Sequence, residues 1–446
     1  MKIPKHPPDF MTALTELNAS VNPLRGLEVV KSEVAKANHP HYYHWDKLVH
    51  LKPPEGFTHT EWWVALKIGR KRLSKPIPLI DETGRPFQFL IPDPIPEALH
   101  RIDLSAGGKI GVPDQVVNPA TRDEYYVSSL IEEAITSSQL EGASTTRAVA
   151  QAMIRTARRP RDRSEQMIFN NFRAMQKIAA LKNEPLTKEL MLELHEILMH
   201  EAIDKPDAVG RFRLPDEKVV VGDDSGQVFH VPPRAEQLEA RIALMCDFAN
   251  GHTPGYFIHP VIRAIILHFW FAYDHPFFDG NGRTARALFY WSMLHSGYWL
   301  CEFISISHII RKAPVQYDRA FLYTETDEND LTYFIVYHIE VLQRALQALD
   351  AYIEEKSGKL ANVERQLKST VLLNHRQRAL IAHALRHPHF LYSTAGHKLS
   401  HGVAYQTART DLIDLQERSL LDVVMSGRTW YFRPAADLAE RLAQLS

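Results

Sequence analysis

The spacing of apolar residues changes along this sequence of 446 residues, and the changes predict three regions. In residues 1–107, short runs such as WWVALKI and PFQFLIP lie between turn signals rich in proline and glycine, a pattern typical of β-strands. In residues 108–356, apolar residues recur three and four positions apart over long segments, a pattern typical of amphipathic helices. We therefore predict a small mixed N-terminal region followed by a helical core.

One segment of the helical region has the pattern of a β-hairpin. The sequence GRFRLPDEKVVVGDDSGQVFHVPP places β-branched residues on both sides of GDDSG. Glycine and aspartate favour tight turns between antiparallel strands. The core is thus predicted to contain one hairpin between its helices.

The third region, residues 357–446, begins with a charged helical connector. It continues with a helix (HRQRALIAHAL), a second helical stretch (VAYQTARTDLIDLQERSLL) and two strands that turn at Ser426 and Gly427. Helix, helix and hairpin is the order of a winged helix. The predicted fold class is therefore mainly α, with a winged helix at the C-terminal end.

The composition of the chain excludes several classes of protein. Hydrophobic residues make up 45% and charged residues 24% of the chain, which are ordinary values for a globular protein and exclude wholesale disorder. The two cysteines, Cys246 and Cys301, are too few for a disulfide framework, so we predict a reducing cytoplasm. The first residues lack the apolar core of a signal peptide, and the apolar stretch 261–273 is shorter than the ~20 residues that span a bilayer. We expect no membrane association.

Charge is balanced overall but uneven locally. The formal net charge of -1 excludes a uniformly basic nucleic-acid binder. Residues 371–409 nevertheless carry no acidic residue, and their cations are Arg376, Arg378, Arg386, Lys398 and Arg409. Such a local imbalance is what a DNA-facing surface needs.

The predicted second helix of the tail offers side chains that suit phosphates and base edges, namely Tyr405, Gln406, Arg409 and Thr410. Three acidic residues follow closely, Asp411, Asp414 and Glu417. Winged helices also dock proteins or form dimers. Both DNA binding and protein docking therefore stay open for the tail.

The segment HPFFDGNGRTAR, residues 275–286, combines several groups that phosphate chemistry needs. Asp279–Gly280 and Asn281–Gly282 predict a tight turn whose backbone N–H groups, next to a helix N-terminus, can bind an anion. Turn chemistry alone would also fit a plain connection between two helices. The flanking side chains favour the anion site.

Those flanking side chains supply charge and a base. Arg283 and Arg286 stand three apart on the following helix, where both can meet one polyphosphate. Asp279 can hold Mg²⁺ against phosphates, and His275 can take a proton near neutral pH.

The segment resembles the signature HxFx(D/E)GNGRxxR of the Fic (filamentation induced by cAMP) family. The matching residues are His275, Phe277, Asp279, Gly280, Asn281, Gly282, Arg283 and Arg286. The upstream helix that begins at His259 and Pro260 is similar to the helix that precedes the family's loop. The resemblance implies a helical bundle that transfers AMP from ATP to a Ser, Thr or Tyr hydroxyl of a target protein.

The resemblance also implies a role for each residue of the loop. His275 would be the general base that deprotonates the target hydroxyl, and Asp279 would be the Mg²⁺ ligand. Phe277 would anchor the loop in the core. These roles agree with phosphoryl transfer, in which positioning and charge neutralisation do most of the catalysis.

The other loop residues would bind ATP. Gly280, Asn281 and Gly282 would line the phosphate-binding loop, while Arg283 would contact the phosphates and Arg286 the γ-phosphate. The predicted hairpin resembles the family's flap, which would set the target peptide in register by backbone pairing.

The segment SSQLEG, residues 137–142, resembles the family's inhibitory helix motif (S/T)xxxE(G/N) through Ser137, Glu141 and Gly142. The resemblance implies that Glu141 neutralises Arg286, so that ATP binds only in a nonproductive pose. Ser137 would orient Glu141 or contact the loop.

Two other functions stay open at the level of sequence. The same loop could remove AMP from a modified protein, with the inhibitory glutamate as an assisting base. Alternatively, the chain could be a DNA-binding regulator whose core senses nucleotide, although the intact His275 argues against an inactive core. The resemblance further implies ATP and Mg²⁺ as substrate and cofactor, and Fic cores often form homodimers.

Overall fold

The computed structural model describes residues 2–19, 24–36, 41–107, 119–155, 158–223, 225–369, 373–388, 390–426 and 429–444. The fold is mainly α, as predicted. None of the helices in these ranges is both long and apolar enough to cross a bilayer.

The chain forms two compact units, which are Met1–Gly111 with Val127–Leu346, and Val112–Tyr126 with Gln347–Ser446. The region that the sequence sets apart at the N-terminus therefore belongs to the same unit as the helical core. The predicted boundary at residue 107 adjoins a stretch outside the described residues, and the one at residue 356 lies within a continuous helix. Both boundaries stay predictions.

The helices of the N-terminal region are α1 (Phe10–Asn18), α2 (Arg25–Lys31), α3 (Trp45–Leu48), α4 (His59–Leu73) and α5 (Ile95–Ile102), with strands β1 (Lys75–Ile80) and β2 (Pro86–Phe89). The two strands pair antiparallel. The run WWVALKI, which we predicted as a strand, lies in α4, so that prediction is wrong.

A capping box explains why α4 is a helix. The Thr58 hydroxyl accepts from the Glu61 N–H over 3.2 Å, and the Glu61 carboxylate accepts from the Thr58 N–H over 2.7 Å. Residues 62–67 are then buried on all sides of the helix, so they show no alternation of faces. Aromatic and β-branched composition alone cannot separate such a buried helix from a strand.

The helices of the core are α6 (Pro119–Leu140), α7 (Arg147–Arg155), α8 (Arg163–Ala180), α9 (Lys188–Met199), α10 (Leu238–Ala249), α11 (Pro260–Asp274), α12 (Asn281–His295), α13 (Ile306–Arg311), α14 (Pro314–Thr326) and α15 (Thr332–Ser369). Helices α11 and α12 pack against each other in the centre, and nearly every residue of both is buried. The segment 275–280 joins them, so the motif loop is held between two deeply buried helices.

The predicted hairpin is present between α9 and α10. Strand β3 (Val221–Gly222) pairs antiparallel with β4 (Val228–His230), and the register shifts between the two pairs. Asp224, in its turn, lies outside the described residues.

The second unit contains helices α16 (His375–Arg386), α17 (Thr394–His401), α18 (Tyr405–Glu417) and α19 (Leu438–Gln444), and strands β5 (Tyr392–Ser393), β6 (Leu421–Ser426) and β7 (Thr429–Pro434). The strands form a sheet in the order β5–β7–β6. The predicted helices correspond to α16 and α18, and the predicted hairpin to β6 and β7. Strand β5 and helix α17, which lie where we predicted only a turn, were not expected. Gly427, in the predicted turn, lies outside the described residues.

Candidate active site

Gly280 closes the loop between α11 and α12. Its φ of +80° lies in the left-handed region, and an added Cβ would stand 2.4 Å from the Met199 sulfur. Glycine is therefore required for both backbone conformation and space. Asn281 and Gly282, which we predicted to share the turn, instead form the first residues of α12, so the turn ends one residue earlier than expected.

Asn281 holds the loop through two hydrogen bonds to one residue. Its Oδ1 accepts from the Phe277 N–H over 2.9 Å, and its Nδ2 donates to the Phe277 carbonyl over 2.8 Å. The Phe277 ring is fully buried, which confirms its place in the core. The amide of Asn281 thus fixes the loop backbone.

His195 on α9 is a loop contact that the sequence analysis missed. Its ring stacks on Phe277 with 3.7 Å between centroids. Nδ1 accepts from the Gly210 N–H over 3.1 Å, so Nε2 carries the proton and donates to the Asp279 carbonyl over 3.0 Å. A single histidine on an apolar helix face offers no sequence signal for this role.

His275 ends α11 in a strained backbone conformation, with φ of 45°. Its carbonyl accepts from Nε of Arg213 over 2.9 Å, and the Arg213 N–H donates to the Pro276 carbonyl over 2.9 Å. Arg213, in the GRFR segment before the hairpin, therefore supports the backbone at the start of the loop.

The His275 ring is set up to accept a proton. Nδ1 lies 3.1 Å from the Ala272 carbonyl, which can only accept, so Nδ1 carries the proton and the lone pair is on Nε2. Burial lowers the pKa of His275 to about 4. The ring is therefore a neutral base at neutral pH.

Arg286 is fully buried and contacts the end of α6. Its Nε donates to the Ser137 hydroxyl over 2.9 Å, and its Nη2 donates to the Ser137 carbonyl over 3.0 Å. Nη2 also donates to Oε1 of Glu141 over 2.8 Å. The structure thus brings Arg286 into contact with Ser137 and Glu141, which lie 149 and 145 residues before it in the sequence.

The charge on Glu141 depends on the two loop arginines. Burial works to raise the pKa of Glu141, but Arg286 and then Arg283 outweigh it and hold that pKa below its usual value. The Glu141 side chain remains 28% exposed. Glu141 is therefore a carboxylate at neutral pH.

Gly142 explains why Glu141 stands at the end of the helix. The Ala143 N–H donates to the Ser138 carbonyl, the Gly142 N–H donates to the Gln139 carbonyl, and Gly142 has a φ of +93°. These bonds form a Schellman motif that stops α6. The helical spacing that we predicted over long segments of residues 108–356 is interrupted here, because α6 ends at Leu140 and α7 begins at Arg147.

Gly282 and Arg283 complete the surroundings of Glu141. A Cβ at Gly282 would stand 2.2 Å from Oε1 of Glu141, so only glycine allows this approach. Arg283 is buried, donates from Nη1 to the Leu198 carbonyl over 3.3 Å, and its Nε has no hydrogen-bond partner among the described atoms. Burial lowers the pKa of Arg283.

Asp279 presents the carboxylate of the loop to solvent, with 38% of its side chain exposed. Its Oδ1 accepts from the Gly280 N–H over 2.5 Å, and Oδ2 lies 3.8 Å from Arg163. No cluster of three or more ligand side chains occurs within the described ranges. A lone carboxylate beside an anion loop fits Mg²⁺, which is usually held by one or two carboxylates together with substrate phosphates.

The hairpin is anchored to the loop helix by His230. Its Nε2 donates to the Tyr273 carbonyl over 2.8 Å, and its Nδ1 lies 2.7 Å from the Glu325 carboxylate. Burial works to lower the pKa of His230, but Glu325 outweighs it and raises that pKa. Val220, Val228 and Val231 of the hairpin remain about half exposed, at 52%, 46% and 59%.

In the second unit, two of the acidic residues of α18 pair with neighbouring side chains. Asp411 is buried and pairs with Arg376 over 2.7 Å, so Arg376 is not available to a DNA-facing surface. Asp414 accepts from Gln377 over 2.6 Å and pairs with Arg418 over 3.0 Å. The predicted contact residues of α18 are all exposed, namely Tyr405, Gln406, Arg409 and Thr410.

Comparison with known proteins identifies the class of this site. Residues 185–293 match the model of the Fic/DOC family, a segment that holds the whole loop and the hairpin. The chain therefore contains a Fic domain. Ser137, Glu141 and Gly142 lie outside the matched segment.

Curated relatives match over a similar length. The chain is 34% identical over 117 residues to the protein adenylyltransferase Fic of Nematostella vectensis, which covers 26% of this chain and 25% of that protein. It is 33% identical over 118 residues to the protein adenylyltransferase Fic of Culex quinquefasciatus, which covers 26% and 21%. The chain thus matches about a quarter of the length of these relatives.

Solved structures that are similar include a Fic family protein from Desulfovibrio desulfuricans, with a TM-score of 0.49 and 21% identity over 76% of this chain and 96% of that one. A Fic domain containing signaling protein from Bacteroides thetaiotaomicron has a TM-score of 0.47 and 18% identity, over 56% and 95%.

Proposed function

We propose that this chain is an ATP- and Mg²⁺-dependent protein adenylyltransferase, held inactive by Glu141. The observation that carries the proposal is the joint presence of a neutral His275 with a free Nε2 and a buried Arg286 paired with Glu141 over 2.8 Å. The names of the curated relatives support the reaction class.

In this proposal His275 is the general base. Its Nε2 takes the proton from the hydroxyl of the target as the hydroxyl oxygen attacks the α-phosphorus of ATP. The bond between the α-phosphorus and the bridging oxygen breaks, and pyrophosphate leaves. The target keeps AMP as a phosphodiester on its Ser, Thr or Tyr side chain.

The N-terminus of α12 binds the phosphates. Gly280 ends the turn with its N–H donated to the Asp279 carboxylate, and the backbone N–H groups of Asn281 and Gly282 lie at that terminus, where the helix dipole favours anions. Arg283 and Arg286 add positive charge three residues apart on the same helix. Asp279 would hold Mg²⁺, which supplies charge neutralisation on the phosphates.

Glu141 inhibits by occupying Arg286. A carboxylate bound to that guanidinium removes the cation that the γ-phosphate needs, so ATP lacks its productive position. Ser137 supports the inhibited state, because its hydroxyl and carbonyl both accept from Arg286. Gly142 places Glu141 by stopping α6 at this point.

The hairpin would present the target to His275. His230 fixes β4 to the carbonyl of Tyr273, two residues before His275. Exposed backbone of the short strands can pair with an extended peptide, which would read the target's backbone more than its side chains. The free thiols of Cys246 and Cys301 agree with a cytoplasmic location for this activity, and a homodimer stays a prediction.

The reaction is tested with ATP labelled at either the α- or the γ-phosphate. Label from the α-position should appear on protein in a form that survives denaturation, whereas γ-label should not. Transfer should require His275 and should stop when a chelator removes divalent metal. Transfer of γ-label would indicate a kinase, and release of AMP from a pre-modified target by water, without transfer, would indicate the de-AMPylase function instead.

A second function, DNA contact by the tail, is favoured by one observation. Asp411 is buried and pairs with Arg376, so its carboxylate does not repel phosphate from the surface of α18. Gln406, Arg409 and Thr410 remain exposed on that helix. We propose this contact as an addition to the catalytic function.

A further inference from the structure

His230 links the hairpin to the buried core. It ends β4, and only 9% of its side chain is exposed. The hairpin itself is short, because β3 has two residues, β4 has three, and the strands share two pairs of facing residues. So few backbone pairs hold a hairpin weakly. Side-chain contacts such as those of His230 therefore decide how firmly the hairpin is attached to the helices.

Both ring nitrogens of His230 face groups that accept hydrogen bonds. Nε2 lies 2.8 Å from the Tyr273 carbonyl at the end of α11, and Nδ1 lies 2.7 Å from the Glu325 carboxylate on α14. A carbonyl and a carboxylate have no proton to donate, and a neutral imidazole has one N–H. Both bonds therefore form together only while the His230–Glu325 pair holds an additional proton between Nδ1 and the carboxylate.

The carboxylates near His230 favour this additional proton. Glu325 faces the ring from α14, and Asp274 adds a second carboxylate from α11. Burial works to lower the pKa of His230, but Glu325, the Tyr273 carbonyl and Asp274 outweigh it and raise that pKa. Asp274 already pairs with Arg241 over 2.6 Å. Glu325 is therefore the direct partner of the proton.

The other titratable groups that face His230 among the described residues are uncharged. The ring of Tyr273 lies 4.7 Å from the His230 ring, measured between centroids. Burial and then Glu325 raise the pKa of Tyr273, so its phenol keeps its proton. The His275 ring is neutral, as described above. The positive charge on His230 is thus balanced by carboxylates without opposition from these two side chains.

The proton on His230 also affects the base. His230 bonds to the carbonyl of Tyr273, two residues before His275. Burial is the main cause that lowers the pKa of His275, and the positive charge of His230 works in the same direction. A protonated His230 therefore holds the hairpin to the helix that carries the base and also disfavours a second proton on that base.

We propose that His230 is a positioning residue which fixes the hairpin to α11 only while the His230–Glu325 pair is protonated, and that loss of this proton releases the hairpin at alkaline pH. Its role in the reaction rests on the proposed function, in which the hairpin receives the target. Because the pKa of His230 is raised in the folded chain, the contribution is complete below the ordinary value of about 6.5. It is lost as pH rises through the raised value.

The test is pulsed hydrogen exchange of the full chain between about pH 6 and about pH 9.5. Protection of the amides of β3 and β4 is corrected for the intrinsic effect of pH, and the amides of α8 serve as an internal reference. Hairpin protection should fall at least tenfold with rising pH, the factor expected for one hydrogen bond between charged groups. The protection of α8 should not change.

Glu325→Gln separates the proton from the contact. The new amide can donate to Nδ1 of a neutral ring that still donates from Nε2, so both bonds persist without the additional proton. Hairpin protection should then stay constant over the whole pH range. His230→Ala should lower protection at every pH. His252→Ala is the matched control, because it removes a histidine that lies 3.4 Å from Asp247 at an exposed site, and it should behave like the unmodified chain.

NMR titration of the histidine rings measures the proton directly. The His230 signal is assigned by its absence in His230→Gln, and its midpoint should lie above about 6.5 in the unmodified chain and fall in Glu325→Gln. A midpoint at or below that value would overturn the proposal. So would constant hairpin protection in the unmodified chain, or an equal fall of protection in Glu325→Gln. None of these measurements uses ATP, so their failure would leave the proposed AMP transfer standing, and a failure of transfer would not alter them.

Discussion

Nη2 of Arg286 donates to Oε1 of Glu141 over 2.8 Å, while the same guanidinium is held by the hydroxyl and the carbonyl of Ser137. Three acceptors from the end of α6 therefore satisfy one side chain of α12. Among these three acceptors only the one from Glu141 carries charge. Its removal should leave the position of the arginine largely intact, because both bonds to Ser137 remain.

We predict that Glu141→Gly increases transfer of α-labelled AMP by about tenfold to a hundredfold. A hydrogen bond to a charged group contributes about 1.5–3 kcal/mol, and ~1.4 kcal/mol corresponds to tenfold. The measurement is the initial rate of labelling at fixed ATP. Glu184→Gly, at an exposed glutamate in the turn after α8, is the matched control and should not change the rate. An unchanged rate in folded Glu141→Gly would rule out the inhibitory role.

We predict that transfer by Glu141→Gly has no acid limb near pH 6.5. Burial lowers the pKa of His275 to about 4, so the ring remains an unprotonated base above about pH 5 and is lost only as pH falls through about 4. Glu141 works to raise the pKa of His275, so removing it should not move the limb upward. Rates are compared between pH 5 and 8, with His252→Ala as the control. A half-maximal rate near 6.5 would contradict the buried neutral base.

We predict that His195→Phe lowers the turnover number more than it changes half-saturation by ATP. Phenylalanine can keep the stack on Phe277, but the Gly210 N–H and the Asp279 carbonyl lose their partner, at about 1–3 kcal/mol for each buried polar group. The loop should then lose its fixed position, and the melting temperature should fall. His195→Gln can restore both bonds, and His200→Phe is the exposed control. A fall in stability without any change in turnover would limit His195 to a structural role.

We predict that the tail retards random duplex DNA at low salt and that Arg409→Gln weakens this binding. One phosphate contact fewer should lower the salt slope by about 1. Arg418→Gln is the matched control, because Arg418 already pairs with Asp414 over 3.0 Å and is not expected to reach DNA. Absence of retardation at every salt concentration would favour protein docking by the tail.

The motif loop could be predicted from sequence because its chemistry is local. Gly280, Asn281 and Arg283 lie within four residues, and the flanking helices follow from apolar spacing. The partner of Arg286 could be proposed only through the resemblance of residues 137–142 to a family motif. Their contact depends on how α6 packs against α12, which no local pattern encodes.

Other features could not be predicted from the sequence, because tertiary contacts outweighed the local preference of the residues. The run WWVALKI is rich in residues that favour strands, but the Thr58–Glu61 capping box and burial on all sides make it helical. The sequence suggests that Arg376 is a free cation, whereas in the structure its side chain pairs with Asp411, which lies 35 residues away. In each case the deciding partner lies outside the local pattern.

The space beside Gly282 has a consequence for how the proposed inhibition would respond to the concentration of ATP. A Cβ there would stand 2.2 Å from the Glu141 carboxylate, so the volume that glycine leaves open is filled by Glu141 at the N-terminus where we place the nucleotide's phosphates. In the inhibition that we propose, Glu141 would act as a tethered competitor with a fixed effective concentration. We expect the fraction of Arg286 that is paired with Glu141 to fall as the concentration of free ATP rises. The resting activity of the protein would then follow the energy charge of its surroundings.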